Sequence, residues 1–437
     1  MCGLSDGRVG GQGPSAAPRQ HPPPHRKSIA PVTLTLRPAA PAASPALCPT
    51  KTGLGILALA LGAFGIGTNE FVAMGLLPEI AGGLRISEPT AGHVISAYAL
   101  GVVVGAPVIA ALTAKFNRKV VLMTLMALFA AGNVMTVLAP GYGILIAARF
   151  VAGLPHGAFF GVAALVAAQL LGPERRAKAV AQVMTGLTVA TVIGVPLASW
   201  LGQLLGWRSA FALVVGIGLV TLAAIWMWLP DLAATSSTST RAELGALRRP
   251  QVWLALAIGM VGFGGMFAVY TYIATTLTDV TGVSRSWVPL GLMVFGAGMV
   301  VGNLAGGRMA DRSVIRGLYV SMTALALVLA AFVAGAHNPF TAMVLLFGIG
   351  AGGAAIAPAL QTRLMDVAAE AQTLAAALNH SALNIANASG AWIGGLVIAA
   401  GYGYTAPAAA GAVLAVVGLV VLSVSVALQR RSAAVSS

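Results

Sequence analysis

Glu70 is the one charged residue in the apolar run from Gly53 to Pro78. An ionisable group inside hydrocarbon costs about 2.5 to 3.5 kcal/mol on insertion scales and marks a proton, ion or substrate pathway by default. A carboxyl favours its neutral form when desolvated and its charged form beside a cation, so one poised between the two can load and release a proton as its surroundings change. The plainer alternative is a carboxyl near the outer interface, hydrated from a vestibule. Arg149 is the one basic residue inside the run that starts near residue 142. At 1.5 Å per residue, Arg149 lies ~10 Å below the end of its run and Glu70 ~12 Å below Pro78. The shared depth predicts electrostatic coupling in at least one state, the arginine helping to expel the proton from Glu70. Alternatively, Arg149 bonds only backbone carbonyls, as a strut between helices.

A second polar group is Asn379, His380, Asn384 and Asn387. Positions 380, 384 and 387 follow i, i+4, i+7 and share one helical face. That face lines a cavity and touches substrate, or it ties helices together by hydrogen bonds. His156 sits beside Pro155 in mid-run and is read as a substrate contact or proton relay, against a packing role; Asn133 and Gln361 stay open in the same way. Tyr270, Tyr272 and Phe267 offer aromatic surface for an amphipathic molecule, or belong to an interfacial aromatic belt. Gly186, Gly194 and Pro196 combine small-residue spacing with a weakened helix, which suits close packing and bending. An intramembrane hydrolase does not fit: His380 and Ser389 lie nine residues apart in one run, too far to meet as base and nucleophile. No nucleotide-binding glycine loop of the P-loop type occurs. Cys2 and Cys48 both precede the first apolar run, which speaks against a disulfide framework or a metal cluster.

The elements that position these residues follow from composition. The chain has 437 residues, 58% hydrophobic and 8% charged, with mean hydropathy +0.89. About a quarter of an average soluble protein is charged, so this chain cannot clothe itself in polar surface. Surface facing lipid requires backbone groups to bond within helices or closed barrels, and runs of ~20 apolar residues select helices. Twelve runs are expected, at 53–78, 90–113, 119–139, 142–168, 177–202, 208–229, 251–275, 287–310, 316–336, 339–362, 371–400 and 404–428.

The net charge of +14 would suit a nucleic-acid partner in a soluble protein, but its distribution argues otherwise. Basic clusters such as Lys115, Arg118, Lys119 and Arg308, Arg312, Arg316 mark every second connection, while the alternate connections hold Arg85, Arg208 and Arg285. This is the positive-inside pattern, with both termini cytoplasmic. Residues 1–50 hold ten of the 23 prolines and read as a disordered cytoplasmic tail, or as residues ahead of an alternative start. The polar stretch 230–250 reads as a cytoplasmic linker between a six-helix half at 51–229 and another at 251–428, with a tail at 429–437. Two such halves around a central site form a recognised transporter plan.

Four motifs carry a resemblance. Gly307-Arg308-Met309-Ala310-Asp311-Arg312 keeps a G-x-x-A-D-R core at the same connection where the first half has Ala114-Lys115-Phe116-Asn117-Arg118-Lys119, with Ala114 in the place of the acid. Arg149-Phe150-Val151-Ala152-Gly153 gives R-x-x-x-G in the fourth run. Gly186 to Pro196 looks like an antiporter motif in the fifth, and Glu70-Phe71-Val72 with Gly75-Leu76-Leu77-Pro78 closes the set. In order on twelve spans, they make residues 53–428 resemble the major facilitator superfamily, in its twelve-span drug:proton antiporter group and the branch of arabinose-efflux and chloramphenicol-exporter proteins. The resemblance implies an all-α membrane protein of twelve transmembrane helices in two halves. Its implied activity is proton-coupled efflux of a small molecule such as chloramphenicol, with a sugar or a purine nucleoside as alternatives and a receptor or channel more remotely. Gly186, Gly194, Pro196, Gly307, Asp311 and Arg312 would form the conformational gate, with charge contacts at Asp311 and Arg312. The ligands expected are a small-molecule substrate, protons and the lipid bilayer of the cell membrane. No enzymatic activity, cofactor, metal or nucleic acid is expected, the proton gradient supplies the energy, and the chain acts as a monomer.

Overall fold

The computed structural model describes residues 49–113, 115–172, 175–232, 248–368 and 372–436. The proline-rich segment ahead of Pro49, Ala114 and most of the 230–250 connection lie outside them. Among the described residues there is no strand, and twelve helices are long and apolar enough to cross a membrane. Spans one to six are Thr52–Gly75, Glu88–Thr113, Arg118–Leu138, Tyr142–Leu171, Lys178–Leu205 and Trp207–Trp228. Spans seven to twelve are Pro250–Thr271, Arg285–Arg312, Val314–Gly335, Pro339–Ala368, Leu378–Ala399 and Ala406–Arg431. The protein is an all-α, multi-pass membrane protein, because only helices satisfy every backbone group along such apolar segments.

Several spans depart from the expected course, and four of the departures bear on the interior. The first helix ends at Gly75 rather than Pro78, and a short helix, Leu77–Leu84, begins with Pro78 in its first turn. Proline lacks an N–H and clashes with the preceding turn, so it starts a helix more readily than it continues one. Glu70 therefore lies ~8 Å from its helix end rather than ~12 Å. Span five changes at Ala190–Gly194 into a π turn, two residues ahead of Pro196. The Val195 N–H bonds Ala190 O across the wider turn, the kind of local rearrangement found where a helix carries strain. Span seven is broken at Phe263 and again at Tyr272, and a second π turn follows at Thr276–Val280. Gly262, Gly264 and Gly265 remove side-chain support at the first break. The last helix runs on to Ser436, through the expected tail.

Backbone contact between glycines sets the helix spacing. A Cβ at Gly101 would meet Phe150 O, at Gly105 it would meet Leu154 O, and at Gly153 it would meet Tyr98 O, so spans two and four touch backbone to backbone. Spans eight and ten repeat this: Gly298 faces Phe347 O, Gly302 faces Ala351 O and Gly350 faces Phe295 O. Each pair is displaced by the same number of residues along the chain. Without a hydrophobic force between helices in lipid, such small-residue contacts are a main source of association.

The first six spans meet the last six along three lines. Ser96 Oγ of span two donates to Ala388 O of span eleven at 3.0 Å. Gly296 of span eight abuts the backbone of Thr191 and Val192 in the span-five π turn. Phe71 of span one stacks on Phe267 of span seven at 6.4 Å. Spans one and seven are exposed unevenly along their length. Leu57 is 55% and Trp253 53% exposed, whereas every residue from Gly65 to Leu77 and from Gly262 to Leu277 is buried. The side on which span one begins, called here the near side, thus leaves parts of both helices exposed, whereas their middle and far parts are enclosed.

Candidate functional site

Asn69 and Glu70 are adjacent and buried in span one, and one helical step, ~100° at 3.6 residues per turn, sends them to different neighbours. Asn69 faces span four. Arg149, fully buried, donates through Nη1 to Asn69 Oδ1 at 2.7 Å and through Nη2 to Asn69 O at 3.2 Å. Its guanidinium lies 4.4 Å from the centre of the Tyr98 ring and 5.2 Å from that of Phe211. A charge-assisted fork and two aromatic faces offset the removal of the cation from water. Arg149 is therefore bound to the residue beside the expected partner. Among the described residues the one ion pair within bonding range joins Arg285 and Glu79, at 4.0 Å.

Glu70 faces span eleven. Asn387 Nδ2 donates to Glu70 Oε1 at 3.4 Å, so a carboxyl of the first six spans is held by a neutral amide of the last six. Asn387 is the member of the polar stripe that reaches the centre. His380, two turns away along the same face, stacks on Phe160 of span four at 5.8 Å and 8°. Asn384 Nδ2 turns back to His380 O at 3.0 Å within its own helix. Asn379, Asn384 and Asn387 are each about 95% buried or more, and the Oδ1 atom of each lacks a protein hydrogen-bond partner. Buried amide oxygens are ordinarily satisfied, so this face has spare acceptors.

His156 joins the same assembly. Its Nδ1 lies 3.0 Å from Tyr98 Oη, and its ring packs on Phe160 at 5.2 Å. Phe160 thus separates His156 from His380. On the span-seven side, Tyr270 stacks on Phe295 at 3.9 Å and meets the edge of Phe71 at 5.8 Å. Tyr272 donates to Ala391 O at 2.9 Å. Both tyrosines are 1% exposed, which excludes the interfacial belt for them. They point inward because the breaks at Phe263 and Tyr272 turn this segment into the bundle. Asn133 donates to Phe129 O of its own helix, away from this centre, and Gln361 is half-buried.

The expected gate residues divide into two groups. A Cβ at Gly186 would meet Ala60 O, and one at Gly194 would meet Thr68 and the Phe64 ring, so span five lies tight on span one through the π turn that precedes Pro196. Gly307, Asp311 and Arg312 do not join them. Asp311 and Arg312 are exposed at the end of span eight, and nothing lies within 4 Å of a Cβ at Gly307. Among the described residues neither side chain lies within ion-pair distance of an opposite charge, and both are exposed. On the far side, by contrast, Thr275 Oγ1 donates to Glu88 Oε2 at 2.5 Å, and burial pushes the Glu79 carboxyl up despite Arg285.

Sequence reasoning did not single out Asn69, Tyr98, Phe71, Phe160 or Phe211. A signal existed for two of them: Asn69 adjoins Glu70 inside an apolar run, and Tyr98 puts a hydroxyl in the middle of another.

With this geometry in view, comparison with known proteins is direct. The profile of the Major Facilitator Superfamily matches residues 59–333 and 277–436. The chain is 41% identical over 387 residues to the inner membrane transport protein YdhP of Escherichia coli (strain K12), covering 89% of this chain and 100% of that protein. It is 38% identical to the putative transporter AraJ of the same organism, over 80% of this chain and 89% of that one. A chloramphenicol resistance protein of Streptomyces lividans is 34% identical, over 83% and 94%. Among solved structures, a bacterial homolog of the human lysosomal transporter Spinster, in an inward-facing and unoccupied conformation, superposes with TM-score 0.67 at 18% identity, over 87% of this chain and 96% of that one. Twelve spans, the buried polar centre between their two sets and these matches converge: the chain is a membrane transporter and belongs to the Major Facilitator Superfamily.

Proposed function

We propose that the protein exports a small organic molecule in exchange for protons, by alternating access. The observation that carries this reading is Glu70, a buried carboxyl whose partner across the bundle is the neutral amide of Asn387. An uncharged partner leaves the carboxyl free to change protonation, and the bond joins the two sets of spans that must move against each other. Protonation weakens the carboxyl as an acceptor and loosens that joint. Arg149, clamped on Asn69, sets a fixed positive field one residue away. By the positive-inside pattern the near side is cytoplasmic, so the partly exposed ends of spans one and seven admit substrate from within. The inner or plasma membrane is its location, with both termini cytoplasmic. The chain works as a monomer with no cofactor beyond the proton gradient.

The aromatic surface of Phe71, Phe267 and Tyr270 favours an amphipathic aromatic substrate of the chloramphenicol kind, in line with the resistance protein among the relatives. A second reading, a sugar or purine nucleoside, rests on the unpartnered amide oxygens of Asn379, Asn384 and Asn387. The test uses everted vesicles carrying wild type or Glu70→Gln and follows collapse of a preset pH gradient after adding chloramphenicol, a pentose or a purine nucleoside. Collapse by chloramphenicol in wild type alone is expected. Collapse by the pentose or nucleoside instead moves the assignment to the second reading, and an equal response in Glu70→Gln removes the coupling role.

A further inference from the structure

A groove of about 510 Å³ lies on the near side between the start of span nine and the end of span twelve, far along the chain from the Glu70 centre. Its polar wall carries Arg316, Arg430, Ser313 and Tyr319, its apolar wall Ile315 and Val426, and among the described residues no carboxylate lines it. Tyr319 Oη is pinned to Ser423 Oγ at 2.9 Å, which ties the two helices at the groove. Two guanidiniums without an acid call for an anion, and planar forks suit phosphate.

The first six spans contain the same corner, filled. At the start of span three, the Lys119 N–H is taken by Asn117 Oδ1 at 2.9 Å and the Arg118 N–H by Leu232 O at 3.0 Å, a carbonyl from the strand of chain leaving span six. At the start of span nine, Ser313 Oγ takes the Arg316 N–H at 3.4 Å. Span twelve continues as helix past this level, and among the described residues no carbonyl from a returning segment is bonded there. The groove occupies the corresponding place. An oxygen at a helix N-terminus is favourable, and here a ligand would supply it.

A second recess, about 350 Å³, adjoins through Gln429 and is lined by Arg249, Arg363 and Asp366. Arg363 is 4% exposed; its Nη2 bonds Gln251 and Ser425, and its Nε has no hydrogen-bond partner. The recess with Asp366 repels an anion more than the first, which places the anion on Arg316 and Arg430. Ile315 and Val426 put apolar surface directly beside the two guanidiniums, and exposed valines on the same two helices, Val320, Val420 and Val424, lead toward the hydrocarbon zone. A soluble anion has no use for that surface, whereas acyl chains do.

We infer that this groove binds the phosphate of an anionic phospholipid, with its acyl chains along spans nine and twelve. Basic recesses between helix ends on the cytoplasmic side suit such headgroups. The experiment uses the full chain, stripped of lipid in a neutral detergent, and titrates phosphatidylglycerol, phosphatidylcholine and glycerol 3-phosphate, reading retained lipid by mass and the melting midpoint. Phosphatidylglycerol is expected to bind best and raise the midpoint. Arg316→Gln with Arg430→Gln should lose about tenfold or more of that binding, on the scale of two guanidiniums at a membrane surface. Arg175→Gln with Lys178→Gln, which removes equal charge from the first six spans, should keep it. The single Arg430→Gln, in an exposed helix end, should show a smaller loss in a protein whose lipid-free midpoint is unchanged. Equal loss in both double variants, or equal binding of phosphatidylcholine, overturns the site. Full competition by glycerol 3-phosphate overturns its assignment to a lipid.

Discussion

The two sets of six spans share a frame and differ in chemistry. The glycine contacts of spans two and four recur in spans eight and ten at a constant displacement along the chain. At that same displacement Asn69 corresponds to Met266, Glu70 to Phe267, Tyr98 to Phe295, Arg149 to Leu346 and His156 to Gly353. Every polar member of the first set is matched by an apolar residue or glycine in the second. Met266, Phe295 and Leu346 are fully buried and Phe267 is 4% exposed, so these are equivalent interior sites. Helix spacing depends on backbone approach, which glycines fix without regard to what fills the centre. Charge in the centre is costly, and here it is confined to one side, facing aromatic rings and the amide of Asn387 on the other.

The largest effect should come from changing the paired residues Glu70 and Phe267 one at a time. Glu70→Gln should reduce proton-coupled transport to background, whereas Phe267→Leu should leave it measurable, with a stability cost of about 1 to 3 kcal/mol for the core volume lost. Both are read from gradient collapse in vesicles and from melting. If Phe267→Leu silences transport as fully, the chemistry is not confined to the first six spans.

Arg149→Leu places the residue of the second set at the equivalent site. It leaves Asn69 Oδ1 and O without their donor, at about 1 to 3 kcal/mol, and removes a buried cation that costs about 2.5 to 3.5 kcal/mol on insertion scales. These nearly cancel. The melting midpoint should move little while transport falls sharply, which is the mark of a residue kept for function. Arg149→Lys should not restore transport, because a point charge cannot bond Asn69 Oδ1 and O as a fork. A large fall in midpoint with either variant makes Arg149 a structural strut instead.

Most of this frame can be read from the chain directly, since apolar length, basic connections and breaking residues act locally. Glu70 and Arg149 stand out for the same reason, as single charges in apolar runs. Their partners do not. Depth arithmetic brings Arg149 level with residues 69 and 70, but choosing between them needs the rotation of span one, which its packing on several neighbouring spans, five and six above all, decides. The inward turn of Tyr270 and Tyr272 depends on two helix breaks whose sequence mark is no more than a few glycines. The polar stripe shows its face but not that Asn384 bonds its own helix while Asn387 crosses to Glu70. At the gate, Pro196 predicts a distortion without saying that it takes the form of a π turn.

The shared frame makes a quantitative prediction of its own. Gly101→Ala and Gly298→Ala each press a Cβ into a backbone carbonyl, Phe150 O and Phe347 O respectively, which cannot rotate away. Each should cost about 1 to 3 kcal/mol, the range for overpacking, and the two should agree. Gly161→Ala, with nothing within 4 Å of its Cβ, should be neutral or stabilise by up to about 1 kcal/mol through helix propensity. Thermal melting of the three variants checks this. A marked difference between Gly101→Ala and Gly298→Ala means that the repeat is one of geometry and not of energetics.

The smallest loss expected is that of Tyr98→Phe, which converts another member of the first set into its counterpart. The ring stays beneath Arg149, so the cation–π contact survives, and only the hydroxyl that meets His156 Nδ1 is removed. One neutral hydrogen bond contributes about 0.5 to 1.5 kcal/mol, so the midpoint should drop slightly and transport should persist with its pH profile intact. The outcome sharpens the comparison because it separates the ring from the hydroxyl. If Tyr98→Phe abolished coupling as Glu70→Gln does, the Tyr98–His156 pair would lie on the proton's route, and the active difference between the two sets of spans would extend from one carboxyl to the chain of groups behind it.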